Sequence, residues 1–281
     1  FQELAARTGA TLKWFDLDDE GRILANTADE VITERTKIVA VTHVGNTTGA
    51  ITDIAPMVKR AHEVGAVVVL DACQSVPHLK IDLHALDVDF AAWSAHKMYG
   101  PTGVGFLYGK RDMLEALPPA NFGGSMVELA WMDQEAQYMA PPARFEAGTQ
   151  PVAHVVAAGV AAEWLMNIGM ENLEAHERVI AGELLKMGQI DGVRILGPQT
   201  NEQRIGTVAF EIDGVHPHDV GQFIDAQGIA IRVGHHCAQP VHRHFGVYAS
   251  NRASSGIYNS VEDAQALVEA LKKVRPFFGV E

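Results

Sequence analysis

Between residues 36 and 109 the chain repeats one pattern, a short apolar run rich in β-branched residues followed by polar or helical sequence. "TKIVAVTHV" (36–44) and "AVVVLDACQS" (66–75) flank "DIAPMVKRAHEVG" (53–65), which has helical spacing, Asp53 near its start and Gly65 past its end. "VDFAAWSAHK" (88–97) and "GVGFLYG" (103–109) open as two more strands. Strands that are apolar throughout must be covered on both faces. This rhythm therefore specifies an α/β fold with a mostly parallel sheet between helices.

The pattern then changes. Residues 117–142 are loop-rich and carry four prolines. Residues 152–187 read as a long helical region broken at 167–169. Beyond it, "GTVAFEID" and "IAIRVG" read as strands, "HPHDVGQFIDAQG" (216–228) as a helix and "SVEDAQALVEALKKVRPFF" as the last helix. That is a smaller α+β domain, and the boundary is placed near Ile168, giving domains 1–167 and 168–281. The start is unusual. "FQELAARTGATLKWFDL" reads as the tail of a helix and then a strand, and the first methionine is Met57. A domain rarely begins so, and the expectation is a large domain lacking its N-terminal part.

Composition removes several functional classes. The formal net charge of −13 argues against a nucleic-acid partner, which needs a basic surface. No apolar run approaches the roughly 20 residues that span a membrane. Two cysteines in 281 residues exclude a disulfide framework and suit a reducing, cytoplasmic setting.

Ligands of open α/β sheets bind at the carboxyl ends of the strands, and three such ends are polar here. Asp71, with Gln74 three residues on, follows a buried run. A strand-end aspartate commonly caps a helix or meets solvent; it can also be held for a protonated ring nitrogen. Ser94, His96 and Lys97 leave the next strand together. A strand-end lysine can be a solvated loop residue, but one desolvated in a cavity can form a Schiff base, and Asp71 nearby favours that role. Asn46, among small residues, is either a turn residue or a group that reaches over a ligand. Cys237, in "IRVGHHCAQP", admits three readings from its neighbours alone: core residue, metal ligand or nucleophile. Adjacent His–His–Cys residues rarely converge on one metal, and no second ligand pair stands at zinc spacing. The Gly234–His–His context is polar and loop-like, and Cys73, on its strand, fits a core role better.

Taken in order, "LDACQS", "SAHKMYGPTG", "RFEAGT", "RVGHHCAQP" and "RASSGIYN" resemble the SufS-like (group II) cysteine desulfurases, fold-type I pyridoxal-phosphate (PLP) enzymes of the class-V aminotransferase family. The resemblance runs over essentially the whole chain. It implies that Lys97 bonds the PLP aldehyde, Asp71 pairs with the pyridine nitrogen, Gln74 bonds the ring hydroxyl, and Ser94 and His96 hold the phosphate. Thr149 would join them from the second subunit of a homodimer. Arg252 would clamp the substrate carboxylate, with Asn46 and Arg232 lining the pocket. Cys237 would be the nucleophile that takes sulfur from L-cysteine as a persulfide, leaving alanine and feeding iron–sulfur cluster assembly. His235 or His236 could accept the thiol proton, and the sequence does not say which. The family's ring-stacking histidine and its Gly/Thr phosphate loop belong to sequence before Phe1, and "EAGTQP" and "RASSGIYN" differ slightly from the commonest forms.

The resemblance also implies a partner. His218, in "HPHDV", matches the histidine with which SufS-like enzymes replace a cysteine ligand on the zinc of a SufU-type acceptor; relatives serving a SufE-type acceptor need no such residue. Two other readings stand beside this one: a selenocysteine lyase with the same contacts, and an inactive piece serving as a dimerisation or scaffold-binding module.

Overall fold

The structure, a computed structural model, describes residues 1–280. Two four-stranded sheets organise it. The first contains β1 (Ile38–Thr42), β2 (Val67–Asp71), β3 (Phe90–Ser94) and β4 (Gly105–Gly109) in that spatial order. β1, β2 and β3 are parallel, and β4 returns antiparallel at the edge. The sequence-based expectation of a mostly parallel sheet is met. Ahead of the sheet lie α1 (Gln2–Thr8) and α2 (Ala28–Val31). α3 (Ala55–Glu63) connects β1 to β2, buries Met57, Val58 and Ala61, and ends before Gly65, whose φ of 73° suits a residue without Cβ. These side chains pack with Val39, Val41, Val68 and Leu70 in one core.

The register sets the working edge. Thr42 lies opposite Asp71, and Asp71 opposite Ala92, so the carboxyl ends of three parallel strands are level. At the other end Asp89, 2% exposed, accepts the Val68 N–H at 2.7 Å and meets Lys110 Nζ at 2.9 Å and His62 Nε2 at 3.1 Å. Burial works to raise the Asp89 pKa. These three donors outweigh it, so the carboxyl sits below its ordinary range and stays ionised.

After α4 (Arg111–Ala116) the loop-rich stretch contains only the small β5–β6 pair, Val127–Leu129 with Gln137–Tyr138. α5 (Val152–Ile168) and α6 (Met170–Leu184) follow, meeting at Gly169 with a bend of 77°. This is the predicted break. Among the described residues no single helix is long and apolar enough to cross a membrane.

The second sheet is antiparallel, in the order β7 (Val193–Leu196), β8 (Thr207–Ile212), β10 (Ser250–Ser254), β9 (Arg232–Gly234). α6, α7 (Pro217–Asp225) and α9 (Val261–Leu271) cover it. Ile180, Leu184, Ile224, Leu267 and Leu271 close over Val208 and Phe210 in a second core. α8 (Gln239–His244) packs into the loop between β9 and β10.

Three expectations need correction. "TLKWFDL" is not a strand: its only pairing is an isolated Leu17–Ile23 bridge, and Trp14 is 73% exposed. Alternating apolar residues make a strand only where a neighbour completes the ladder. The last helix is two, α9 and α10 (Val274–Phe278). Pro276 has no N–H to donate to the Lys272 carbonyl, and the helix breaks there. "IAIRVG" shortens to three residues, while β7 and β10 arise where no strand was expected.

Candidate active site

Two groups of side chains meet at the carboxyl edge of the first sheet. The first is built by β2 and β3. Asp71 is the last residue of β2; its Oδ1 accepts the Cys73 N–H at 2.9 Å, and it makes no ion pair among the described residues. Ser94 ends β3, and a single 3-10 turn, Ala95–Lys97, then carries His96 and Lys97. Lys97 is half-buried and His96 exposed; neither makes a hydrogen bond or ion pair within the described chain, and Gln74 makes no hydrogen bond. A carboxylate with no cationic partner, an amine with no hydrogen-bond partner among the described residues and a hydroxyl thus stand together.

Cys73 lies inside this group. Asp71 ends the strand, so Cys73 sits past it, partly exposed, with Sγ 3.9 Å from Ser94 Oγ. It is not the core residue the sequence suggests. Burial and the Asp71 carboxylate push its thiol pKa up, with Lys97 pulling the other way. Those opposed effects place Asp71, Cys73, Ser94 and Lys97 in one electrostatic neighbourhood.

The second group centres on Cys237, which is exposed and unpaired. His236 and Cys237 have φ of 50° and 59°. Two successive non-glycine residues in the left-handed region cost on the order of 1–2 kcal/mol each, so surrounding contacts must hold them. Three do. Asn46 Nδ2 donates to the His236 carbonyl at 2.5 Å, the Ala238 N–H bonds the His235 carbonyl at 2.8 Å, and His236 Nε2 meets Ser250 Oγ at 3.0 Å. The Asn46 amide nitrogen is therefore committed to the Cys237 loop rather than reaching freely over a ligand.

Arg252 adds the charge. It lies on β10 directly opposite Arg232 of β9, so the two side chains share a face. Burial, then the Arg232 charge, lowers the Arg252 pKa, while Cys237 nearby raises it. Arg252 Nη1 donates to the Asn46 carbonyl at 2.9 Å, and its buried Nε has no partner. Directly opposed like charges destabilise a sheet, and a buried unpaired guanidinium N–H costs about 1–3 kcal/mol. An anion between the arginines relieves both.

The two histidines differ sharply. His236 is 6% exposed; burial, then Arg252, lowers its pKa to about 4. His235 is half-buried, stands edge-on to Tyr248 at 4.9 Å, and its ring makes no hydrogen bond. The loop after β1 joins the two groups: Asn46 touches His236 and Arg252, while the His43 N–H bonds the Asp71 carbonyl at 3.1 Å. Thr149 is exposed on a bend and makes no hydrogen bond to Ser94 or His96. His218 is exposed on α7. The cap there is His216, whose Nδ1 accepts the His218 N–H at 3.2 Å. Ser250 and His242 carried no sequence signal, because a serine in a polar run and a histidine in "QPVHRH" look like surface.

The profile of the class-V aminotransferase family matches residues 1–267. The chain belongs to that family. A probable cysteine desulfurase 2 of Mycobacterium leprae is 49% identical over all of this chain and 67% of the relative. A probable cysteine desulfurase of Streptomyces coelicolor is 46% identical over 99% of the chain and 67% of the relative. Among solved structures, the cysteine desulfurase CsdA of Escherichia coli superposes with a TM-score of 0.93 at 35% identity, over 98% of this chain and 68% of that one. That of Thermococcus onnurineus NA1 also gives 0.93, at 33% identity. The chain spans about two thirds of the length of these relatives. Enzymes of this family carry PLP, and the first group of residues fits it: a carboxylate for a cationic ring nitrogen, an amine for an aldehyde, and a hydroxyl and imidazole for a phosphate.

Proposed function

We propose that this chain forms the cofactor- and thiol-bearing part of a PLP-dependent cysteine desulfurase that converts L-cysteine to L-alanine and stores the sulfur as a persulfide on Cys237. One observation carries the reading: an exposed thiol on a strained loop stands beside two facing arginines, one with a buried unpartnered Nε, and Asn46 ties them to the strand edge bearing Asp71 and Lys97.

PLP, when bound, supplies an electron sink that acidifies the α-carbon of an amino acid. The chain does the rest. Lys97 would hold the cofactor and then take the α-proton, Asp71 would keep the ring nitrogen cationic, and Gln74, Ser94 and His96 would fix the ring and phosphate. Arg252, with Arg232 and Asn46 around it, seats the substrate carboxylate. His235, the freer imidazole, takes the Cys237 proton. The thiolate attacks the substrate sulfur. The S–S bond forms as the C–S bond breaks and the electron pair stays with the substrate carbons; the β-carbon gains the proton given up by Cys237, and the proton taken by Lys97 returns to the α-carbon to complete alanine.

Arg252→Ala tests the anion seat. Losing a charge-assisted contact worth about 1.5–3 kcal/mol should raise KM for L-cysteine roughly 10–100-fold, with kcat changed less. A KM within about twofold of the parent overturns the assignment.

The reading extends to a cytoplasmic homodimer. Thr149 is turned to solvent, where a second subunit can use it. Val152, Val156, Val160 and Trp164 form an exposed apolar stripe at helical spacing on α5, which calls for cover. It extends also to the acceptor, a zinc scaffold of the SufU type delivering sulfur to iron–sulfur assembly. The His218 imidazole is exposed on a helix packed against β9 and β10, with Gln222 Nε2 3.3 Å from its Nε2, and a neutral imidazole is a good zinc ligand. In His218→Ala, persulfide formation with a small reductant should persist while stimulation by the zinc scaffold falls about tenfold or more. Equal stimulation of mutant and parent points instead to a SufE-type acceptor.

A further inference from the structure

Behind Cys237 three buried side chains converge. Ser250 is 0%, His242 2% and His236 6% exposed. Ser250 Oγ lies 3.0 Å from His236 Nε2 and 2.9 Å from His242 Nε2, and His242 Nδ1 lies 3.0 Å from the Ala238 carbonyl. No carboxylate pairs with either ring among the described residues.

The protons can be placed by elimination. A carbonyl oxygen only accepts, so His242 Nδ1 carries a hydrogen. In the neutral ring Nε2 is then bare and accepts the Ser250 O–H. A hydroxyl has one proton to give, so toward His236 the oxygen must accept, and His236 donates from Nε2. His236 Nδ1 is left bare, in agreement with its having no partner. A cationic His242 would reverse the chain. It would bury an N–H on His236 Nδ1 with no acceptor and add a third positive charge near Arg252 and Arg232.

We propose that Ser250 is a positioning residue, whose hydroxyl joins His236 to His242 with opposite tautomers and so locks the left-handed His236–Cys237 turn that presents the thiol. The link is short. His236 is held at its ring by Ser250 and at its carbonyl by Asn46, and Cys237 is the next residue. His242 sits in α8, whose first turn is tied back to the same loop by the Ala238 N–H to His235 carbonyl bond. The serine thus connects β10 to both ends of the segment that carries the nucleophile. The consequence for desulfuration rests on the function proposed above; the bridge itself does not.

The experiment uses protein labelled with ¹⁵N-histidine, with resonances assigned through His236→Gln and His242→Gln. At about pH 7.5 the parent should show His236 as the Nε2–H form and His242 as the Nδ1–H form. Two identical tautomers, or a protonated ring at either site, overturn the proposal. In the cofactor-loaded enzyme, Ser250→Ala should lower kcat about fivefold or more with KM within about twofold, and change the alkylation rate of Cys237 by about threefold or more. Ser250→Thr, which keeps the hydroxyl, should restore both. A Ser250→Ala protein matching the parent in kcat and alkylation, or a Ser250→Thr protein as impaired as Ser250→Ala, overturns the proposal. Should Ser250→Ala fail to fold, the parent's tautomers decide. Should the parent make no persulfide while its tautomers and alkylation behave as stated, the desulfurase reading fails and the bridge stands.

Discussion

Cys237→Ser stops sulfur transfer while leaving the cofactor in place. Alanine formation from L-cysteine should fall by about 10³-fold or more, and no persulfide should accumulate. The reason is the nucleophile's chemistry. Sulfur is intrinsically far more nucleophilic than a serine hydroxyl that lacks a dedicated base. Cys73 cannot substitute. Burial and the Asp71 carboxylate raise its pKa, so it offers less thiolate than an ordinary cysteine, and it sits between Asp71 and Ser94 instead of beside the arginine pair. Peptide mapping of the persulfide is the check. A label on Cys73 in the parent would falsify the choice of thiol.

Lys97→Ala has an effect of similar size on a different observable. Lys97 has no ion pair or hydrogen bond within the described chain, and the turn after β3 holds it at the strand edge near Asp71, whose register partner is Ala92 of that strand. Its loss should remove the borohydride-sensitive visible absorbance of the purified enzyme and lower turnover by roughly 10²–10⁴-fold, the range for losing a positioned proton-transfer group. An unchanged band in the variant, still bleached by borohydride, would assign the cofactor's attachment to another residue.

The apolar strands of the first sheet were legible in the sequence, because a hydrophobic run is a local signal. The expected cover on both faces is not what the structure has: Val39, Val41, Val68 and Leu70 pack on one face with Met57 and Val58 of α3, while Ile38 on the other face is 52% exposed. Helix punctuation was legible for the same local reason: Gly65 and Gly169 adopt positive φ where α3 and α5 end. β10 was not. "SNRAS" is polar, and it is a strand only because β8 and β9 lie on either side of it and complete its hydrogen bonds. The first strand read into "TLKWFDL" fails by the converse, since no neighbour takes its backbone.

By itself the sequence determined the α/β class, the strands and helix of the first sheet and the residue types at its strand ends, because hydrophobic periodicity and turn chemistry act over a few residues. It also carried the motifs that mark Asp71, Lys97, Cys237 and Arg252. Only the tertiary structure decided which of two adjacent histidines is free. His235 and His236 are chemically identical neighbours, and their difference lies in what folds against them: Ser250 from a strand fourteen residues on and Asn46 from the loop after β1 hold His236, while burial and Arg252 lower its pKa to about 4. The opposition of Arg232 and Arg252, twenty residues apart in sequence, likewise exists only in the register of β9 with β10. Desolvation and charge coupling depend on distance through space, and distance through space is set when the chain packs.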